Sequence, residues 1–394
     1  MRFVDPGAAA GGNGSKSCPY VRLGSATSDL AASGGTVVIK GGTTITFTGT
    51  ASLPDGVTVV GSDANFDPCT PSSSDTKCTS PTNWAKINET SVYDGLAANS
   101  AGTRTVHYLQ VIGDPATNNS AGIAVNPSSG TSTVSLDHIR FTGFKLGIYA
   151  ANGGTVNIGA DVQCTGNTFA GLQVSTDGVA DVELKVGDKL TSFSSNVNSA
   201  GTNSFGIYVD GTGKLTVNGP AYPASSLIFA NSNRYGVRFF SSTSGSSITG
   251  LTTSDNTLDG MYVYAKSILK VRGSYFVKNG HDGVHVVANG TNVANGFTAL
   301  DFGTTDAGQN TFKGNTYTGL CVDAAVSLAA TNRSLNVQGN FWGTTCTASA
   351  PTGTITISGT CGAGVDESGD CSGAVNAAAC TAKFVDPGGV CVAQ

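Results

Sequence analysis

Two short segments hold most of the residues able to do chemistry. One reads Leu258-Asp259-Gly260-Met261-Tyr262 and the other His281-Asp282-Gly283-Val284-His285. Asp259 and Asp282 stand 23 residues apart, each just before a glycine. If the chain repeats itself at that spacing, the two carboxylates lie about 5 Å apart, the distance between adjacent strands. Like charges that close raise one of the two pKa values, which suits a general acid, or they share a divalent cation such as Ca2+. His281 and His285 flank one acid, Tyr262 follows the other, and Lys270, Arg272 and Lys278 lie in the stretch between. Asp259, Asp282, His285, Lys270 and Arg272 are therefore the candidate catalytic set, with Asp259 and Asp282 as the pair that would hold calcium. Asp before Gly is also common turn chemistry, so a solvated turn stays open as the plainer reading.

What positions these residues is a repeat. Tetrads that begin with Gly and then alternate start at Gly122, Gly147, Gly171, Gly206, Gly236, Gly260, Gly283 and Gly319. Their spacings are 25, 24, 35, 30, 24, 23 and 36, so most fit one unit of about 24 residues and the rest leave room for loops. The first and third residues after each Gly are apolar, which is the period of a half-buried strand. Neither paired runs with tight two-residue turns nor a 3.6-residue helical period separates the tetrads. The pattern predicts coils of three short strands, stacked in parallel on their counterparts. Leu215-Thr-Val-Asn-Gly, Leu269-Lys-Val-Arg-Gly and Leu335-Asn-Val-Gln-Gly supply a second strand. Asn167, Asn256, Asn279 and Asn315 each precede a tetrad Gly by four residues and predict an asparagine ladder, with Asn in a left-handed turn.

Stacked coils turn sequence positions into surface columns. The residue two after each Gly reads Ala124, Tyr149, Gln173, Tyr208, Arg238, Tyr262, His285 and Cys321. Aromatic rings stack on sugar faces, and Arg and His meet carboxylates or hydroxyls. Tyr149, Gln173, Tyr208, Arg238 and Tyr262, with His281 beside them, are the candidate substrate-binding residues. Outward strand positions also favour Tyr on propensity alone.

Composition narrows the setting. The 394 residues include 54 glycines, and only 12% are charged, for a net charge of −5. With no basic stripe, nucleic acid and anionic membranes are not expected partners. No stretch approaches 18 apolar residues, so no membrane insertion is expected. The first residues, Met1-Arg2-Phe3-Val4-Asp5-Pro6, lack an apolar signal region, as expected if a signal peptide has been removed. Ten cysteines occur, five of them in the last 49 residues. No CxxC pair or neighbouring histidine points to zinc at these cysteines. Cys69 with Cys78 and Cys371 with Cys380 are candidate local disulfides, which places the protein outside the cell or on its surface. No GxGxxG, phosphate loop or GxSxG stands in a supporting context.

The ends need covers, because an open coil exposes strand edges. Residues 1–33, with a helix over Ser25–Ala32, form the expected N-terminal cap, ahead of a first strand at Thr36–Ile39. Residues 34–345 form the coils, with 62–102 as a long loop over one face, and 346–394 form a Cys-rich C-terminal cap. Phe3-Val-Asp-Pro-Gly recurs as Phe384-Val-Asp-Pro-Gly, which raises the possibility of head-to-tail self-association.

The Gly-centred repeat over roughly residues 34–345, preceded by Phe3-Val-Asp-Pro, Gly11-Gly-Asn-Gly, Cys18-Pro-Tyr and Gly34-Gly-Thr-Val-Val-Ile-Lys-Gly-Gly, resembles the right-handed parallel β-helix repeat proteins of the pectin-lyase-like superfamily. The resemblance implies an all-β, single-chain right-handed β-helix. Members include polysaccharide lyases, hydrolases, epimerases, adhesins and spikes, so fold alone does not settle function. The galacturonan hydrolases' Asn-Thr-Asp, Asp-Asp, Gly-His-Gly and Arg-Ile-Lys set is absent. Asp137-His138 followed by Arg140 is similar to part of a pectate-lyase motif, without its partners in order. In a lyase-like reading, Lys270 or Arg272 takes the proton α to a uronate carboxylate. Three readings follow: a surface protein that binds carbohydrate or serves an adhesive or structural role; a polysaccharide lyase, hydrolase or epimerase on an acidic polysaccharide; and a head-to-tail filament subunit. None requires a cofactor beyond the possible Ca2+.

Overall fold

The computed structural model describes residues 1–70, 78, 80–116, 120–197, 203–220, 227–240, 242–264, 266–287, 299–303, 306, 308–317, 319–322, 334–336, 340–342, 354–356 and 363–365. The chain divides into two compact units, Met1–Glu183 with Lys189–Thr202, and Leu184–Asp188 with Asn203–Gln394.

The second unit shows the repeat most regularly. Its tetrad strands, Phe205–Asp210, Tyr235–Phe240, Met261–Tyr264, Val284–Val287 and Leu320–Val322, pair in parallel in chain order. A second column holds Lys214–Asn218, Ser246–Thr249, Leu269–Arg272, Leu300–Asp301 and Ser334–Asn336. A third holds Ile228–Phe229, Leu251–Ser254, Tyr275–Val277, Thr311–Lys313 and Phe341–Trp342. Three strands per coil, each paired only with its own kind, make a right-handed parallel β-helix. Period-2 alternation sends Val237, Phe239, Met261, Val263, Val284 and Val286 inward, where all are fully buried. Each such side chain contributes roughly 1.5–3 kcal/mol relative to exposure.

The first unit is built the same way. Gly35–Ile39 pairs with Val57–Gly61, and Gly102–Ile112 pairs with Ser132–Thr142. Its tetrad strands Ala121–Val125, Leu146–Ala150 and Ala170–Val174 stack in register. The helix runs over Leu23–Asp29, two residues earlier than expected at its start, and buries Leu23, Ala26 and Thr27. A strand absent from the sequence reading, Arg2–Val4, pairs in parallel with Val37–Ile39 and so covers the edge of that strand.

The expectation of a long loop over 62–102 needs correction. Ala85–Glu89 is a strand paired with both Thr44–Phe47 and the far half of Gly102–Ile112. Leu96–Ala97 joins the tetrad column between Ala51–Ser52 and Ile123–Ala124. The alternation was hidden because Glu89 occupies an inward, fully buried position. Its carboxylate accepts from the amides of Ser91 (2.9 Å) and Gly49 (3.3 Å) and from the Ser91 hydroxyl, which is what lets an acid sit there. In the same stretch a disulfide joins Cys69 to Cys78, with Cα atoms 5.7 Å apart. Trp84 Nε1 donates to the Cys78 carbonyl at 2.8 Å, beneath a buried cluster of Val38, Val60, Phe66 and Tyr108.

At the C-terminal end, Thr354–Thr356 and Ala363–Val365 pair antiparallel to Ser334–Asn336 and Leu320–Val322. The cysteines from 346 onward, the expected Cys371–Cys380 pair and the second Phe-Val-Asp-Pro-Gly lie outside the described residues. Among the described residues, Cys18 and Cys164 are free thiols, and no helix is long and apolar enough to cross a membrane.

Candidate functional site

The site in the second unit starts from the asparagine ladder. Asn256 Nδ2 donates to Asn279 Oδ1 at 2.9 Å, and Asn279 Nδ2 donates to Asn315 Oδ1 at 2.9 Å. The same oxygens also accept backbone amides, Asn279 N at 3.0 Å and Asn256 N at 3.4 Å. All three asparagines are buried. The left-handed turn falls one residue before the ladder, at Asp255 and Lys278 (both φ 54°), and not at Asn as the sequence reading had it. The tetrad glycines answer to this packing. A Cβ on Gly260 would sit 2.6 Å from Asn279 Nδ2 and 2.4 Å from Thr253 Oγ1, so only glycine lets the strand approach the ladder.

From Asn256 and Asn279 the chain turns through two residues to an aspartate. Because the ladder fixes the register, Asp259 and Asp282 stack. The Asp282 amide donates to Asp259 Oδ1 at 3.1 Å, and the side chains keep only 4% and 2% exposure. His281 Nδ1 lies 2.8 Å from Asp259 Oδ1 and 2.9 Å from Asp282 Oδ2. His285 Nδ1 lies 3.5 Å from Asp259 and 3.8 Å from Asp282. One donor atom from each of the four residues falls within 4.8 Å of every other. The acids form the floor of this quartet and the partly exposed imidazoles its rim. Such a cluster can relay protons through imidazole or gather a cation.

Beside it runs an aromatic face. Tyr208, Arg238, Tyr262 and His285 are register partners in successive strands, as the column reading expects. The Arg238 guanidinium lies 5.2–5.8 Å from the ring centroids of Phe205, Tyr208, Phe240, Tyr262 and Tyr264. Its Nη2 also donates to the Tyr264 hydroxyl at 3.3 Å. Ring contacts continue from Tyr235 to Tyr262 (5.4 Å), Tyr262 to His285 (5.4 Å) and His281 to Tyr317 (4.4 Å). Burial, reinforced by the Tyr264 and Tyr235 phenols, pushes the Tyr262 hydroxyl up to about 12. It therefore stays a protonated donor at neutral pH. Tyr208 and Tyr235 are raised as well, again chiefly by burial.

Not every expected residue arrives here. Lys270 and Arg272 lie on Leu269–Arg272, a strand of the second column, and not with the tetrads. Lys270 Nζ meets Asp306 at 2.7 Å, while Arg272 Nη2 meets Asp301 at 2.7 Å and Asp306 at 2.9 Å. Lysine and arginine spaced two apart share one outward face of their own strand, so the structure commits them to these acids and does not bring them to the quartet. Tyr149 and Gln173 are register partners in the first unit, with Ala124 on the other side. The sequence reading missed Phe205, Tyr235, Phe240, Tyr264 and Tyr317. None of them stands two residues after a tetrad Gly, the position that defines the binding column. Tyr264 and Phe240 stand two residues further on and also point outward.

A second polar cluster sits in the first unit, around Asp137 and His138. His138 Nδ1 is 3.0 Å from Asp137 Oδ1, and His107 Nδ1 is 3.8 Å from it. Tyr108 and His138 stack at 4.6 Å, both with positive φ (56° and 45°). Arg140 lies over Trp84 at 4.8 Å and reaches Asp161 at 3.4 Å. Burial pushes His107 below its ordinary value of 6.5, against the pull of Asp137.

No family model matches this chain, and no curated protein sequence matches it. Among solved structures it is similar to the A-module of Azotobacter vinelandii mannuronan C-5 epimerase AlgE4, with a TM-score of 0.50 at 14% identity, over 86% of this chain and 94% of that one. It is also similar to the AlgE6 A-module of the same organism, with a TM-score of 0.45 at 13% identity, over 81% and 87%. At these identities the likeness speaks to architecture, and the chain shares the parallel β-helix fold of the AlgE4 module.

Proposed function

We propose that the outer face of the second unit binds an acidic polysaccharide. The observation that carries this reading is Arg238, a guanidinium set among the rings of Tyr208, Phe240, Tyr262 and Tyr264 on a strand face, above the buried Phe205. Rings spaced by the strand repeat offer stacking surfaces for successive sugars, and the cation favours a uronate or another anionic substituent. The Cys69–Cys78 disulfide supports a site of action in an oxidising compartment, outside the cell or on its surface.

The quartet favours a second reading, in which the bound polymer is also modified. A uronate carbon next to its carboxylate loses a proton to a base and regains one on the opposite face in an epimerase, or expels the adjacent sugar in a lyase. In this reading His285 acts as the base, and its contacts with the buried Asp259 and Asp282 support that role. Tyr262, protonated at neutral pH and 5.4 Å from His285 between ring centroids, is the donor. The AlgE4 module bears the name of a mannuronan C-5 epimerase, a reaction of this class.

Both readings are tested with one panel of polymannuronate, polyguluronate, polygalacturonate and neutral glucans. Binding is followed by calorimetry, unsaturated ends by ultraviolet absorbance, and C5 exchange by NMR in D2O. Binding of an acidic polymer should weaken roughly tenfold or more in Arg238→Ala, the worth of a charge-assisted contact. Equal affinity for acidic and neutral polymers would sink the first reading. Absence of both exchange and unsaturated ends, with binding intact, would sink the second.

A further inference from the structure

We infer that Asp259, His281, Asp282 and His285 form a binding site for one first-row transition cation, of the Zn2+, Co2+ or Mn2+ type. The inference is independent of polysaccharide binding, since it needs no polymer, but it excludes His285 as the base of the second reading, because an imidazole that ligates through Nδ1 carries its proton on Nε2.

The donor chemistry comes first. Two imidazole nitrogens and two carboxylates are the mixed N/O set that borderline cations take. Ca2+ takes six to eight oxygens, and imidazole is not among its ligands, so this set does not suit the calcium that the two acids alone suggest. Size agrees. Metal–ligand bonds of about 2.0–2.2 Å in a tetrahedron put ligand atoms roughly 3.3–3.5 Å apart. His281 Nδ1 lies 2.8 Å from Asp259 Oδ1 and 2.9 Å from Asp282 Oδ2, and His285 Nδ1 lies 3.5 Å from Asp259 Oδ2 and 3.8 Å from Asp282 Oδ2; these distances straddle that edge length, and one donor atom from each residue falls within 4.8 Å of the others. Both histidines present the same atom, Nδ1, toward the same two carboxylates.

Support and access fit as well. The Asp282 amide holds Asp259 Oδ1 at 3.1 Å, the kind of outer contact that orients a ligating carboxylate. The asparagine ladder beneath fixes both turns, so the donors stand on rigid coils. The acids are buried, whereas the His281 side chain is 37% exposed, leaving one side open for an ion to come and go. Two nearly buried carboxylates side by side carry a like-charge cost that a divalent cation removes.

The test uses the full chain after chelator treatment and dialysis. Zn2+ is titrated by calorimetry, and Co2+ by its visible absorption, with Ca2+ as the comparison ion. The expected result is a single Zn2+ site, a Co2+ band that Zn2+ abolishes, and no displacement by Ca2+. His281→Gln, at the exposed rim, should weaken Zn2+ at least tenfold while far-ultraviolet circular dichroism stays unchanged. Asp259→Asn should do the same, and His281→Gln keeps the test valid if that buried change unfolds the protein. Cys321 is the register partner of His285, so Cys321→Ser is included. Retention of the Co2+ band in Cys321→Ser supports the quartet, and its loss moves the ion to a thiolate and overturns the assignment. No stoichiometric binding, or binding unchanged in His281→Gln, overturns it too and leaves the quartet as an ion-pair cluster. Polymer binding measured in chelator reports on the glycan reading separately, so the two fail distinguishably.

Discussion

Replacing Asn279 by Ala should destabilise the second unit by about 4–6 kcal/mol. Asn279 is 1% exposed and sits mid-ladder. Its Nδ2 donates to Asn315 Oδ1 (2.9 Å) and to the Thr253 carbonyl (3.3 Å), and its Oδ1 accepts Asn256 Nδ2 (2.9 Å) and the Asn256 amide (3.4 Å). Asn256 Nδ2 keeps a second acceptor, the Ala230 carbonyl at 3.1 Å, and so is not orphaned. The Asn256 amide loses the acceptor described for it, at roughly 1–3 kcal/mol for a buried donor. The other lost bonds add about 1 kcal/mol each, which gives the total. The assay is urea unfolding followed by circular dichroism, with Asn218→Ala on an exposed strand position as a control expected to stay within about 0.5 kcal/mol. A loss below about 1 kcal/mol for Asn279→Ala would refute the idea that the ladder holds these coils in register.

Gly260→Ala forces a Cβ to within 2.6 Å of the Gly283 carbonyl and Asn279 Nδ2, and should cost about 1–3 kcal/mol by the same unfolding assay. Gly24→Ala, in the helix and with nothing within 4 Å, should instead stabilise by about 0.5–1 kcal/mol. His107 is pushed below 6.5 by burial, so the folded state binds fewer protons than the unfolded chain. Stability should therefore fall as pH drops below about 6.5, and His107→Gln should flatten that slope; identical slopes from pH 7.5 to 5 would count against it. Breaking the Cys69–Cys78 link, which closes a short loop, should cost about 3 kcal/mol by loop entropy, read as an earlier urea midpoint in Cys69→Ser with Cys78→Ser.

The repeat was legible because each tetrad obeys two constraints at once, a glycine forced by close approach and inward apolar residues at period two. That alignment alone placed Tyr208, Arg238, Tyr262 and His285 in one column and brought Asp259 to Asp282. It failed where the inward position is polar, as at Glu89, because burial there depends on hydrogen bonds from Ser91 and Gly49 that no periodicity reveals. It also failed for Lys270 and Arg272. Nearness in sequence to the acids says nothing about which of three strands in a coil a residue occupies. Their partners, Asp301 and Asp306, lie about thirty residues further on. The contact of His281 with both acids was equally hidden, since its reach depends on a turn whose left-handed residue, Lys278, gives no sequence signal of that conformation.

The ladder has a hereditary consequence. Asn256 and Asn279 are 23 residues apart and occupy equivalent places, so the DNA between them encodes one interchangeable coil. Duplicating that stretch in frame would lengthen the second unit by one rung and add one more Tyr262-like ring to its face. Deleting it would fuse the coil below to the coil above and leave a single acid where two now stand. Insertions of other lengths would have to bulge out as loops. Selection on such a gene therefore works in steps of a whole coil, and the length of the face is inherited as an integer.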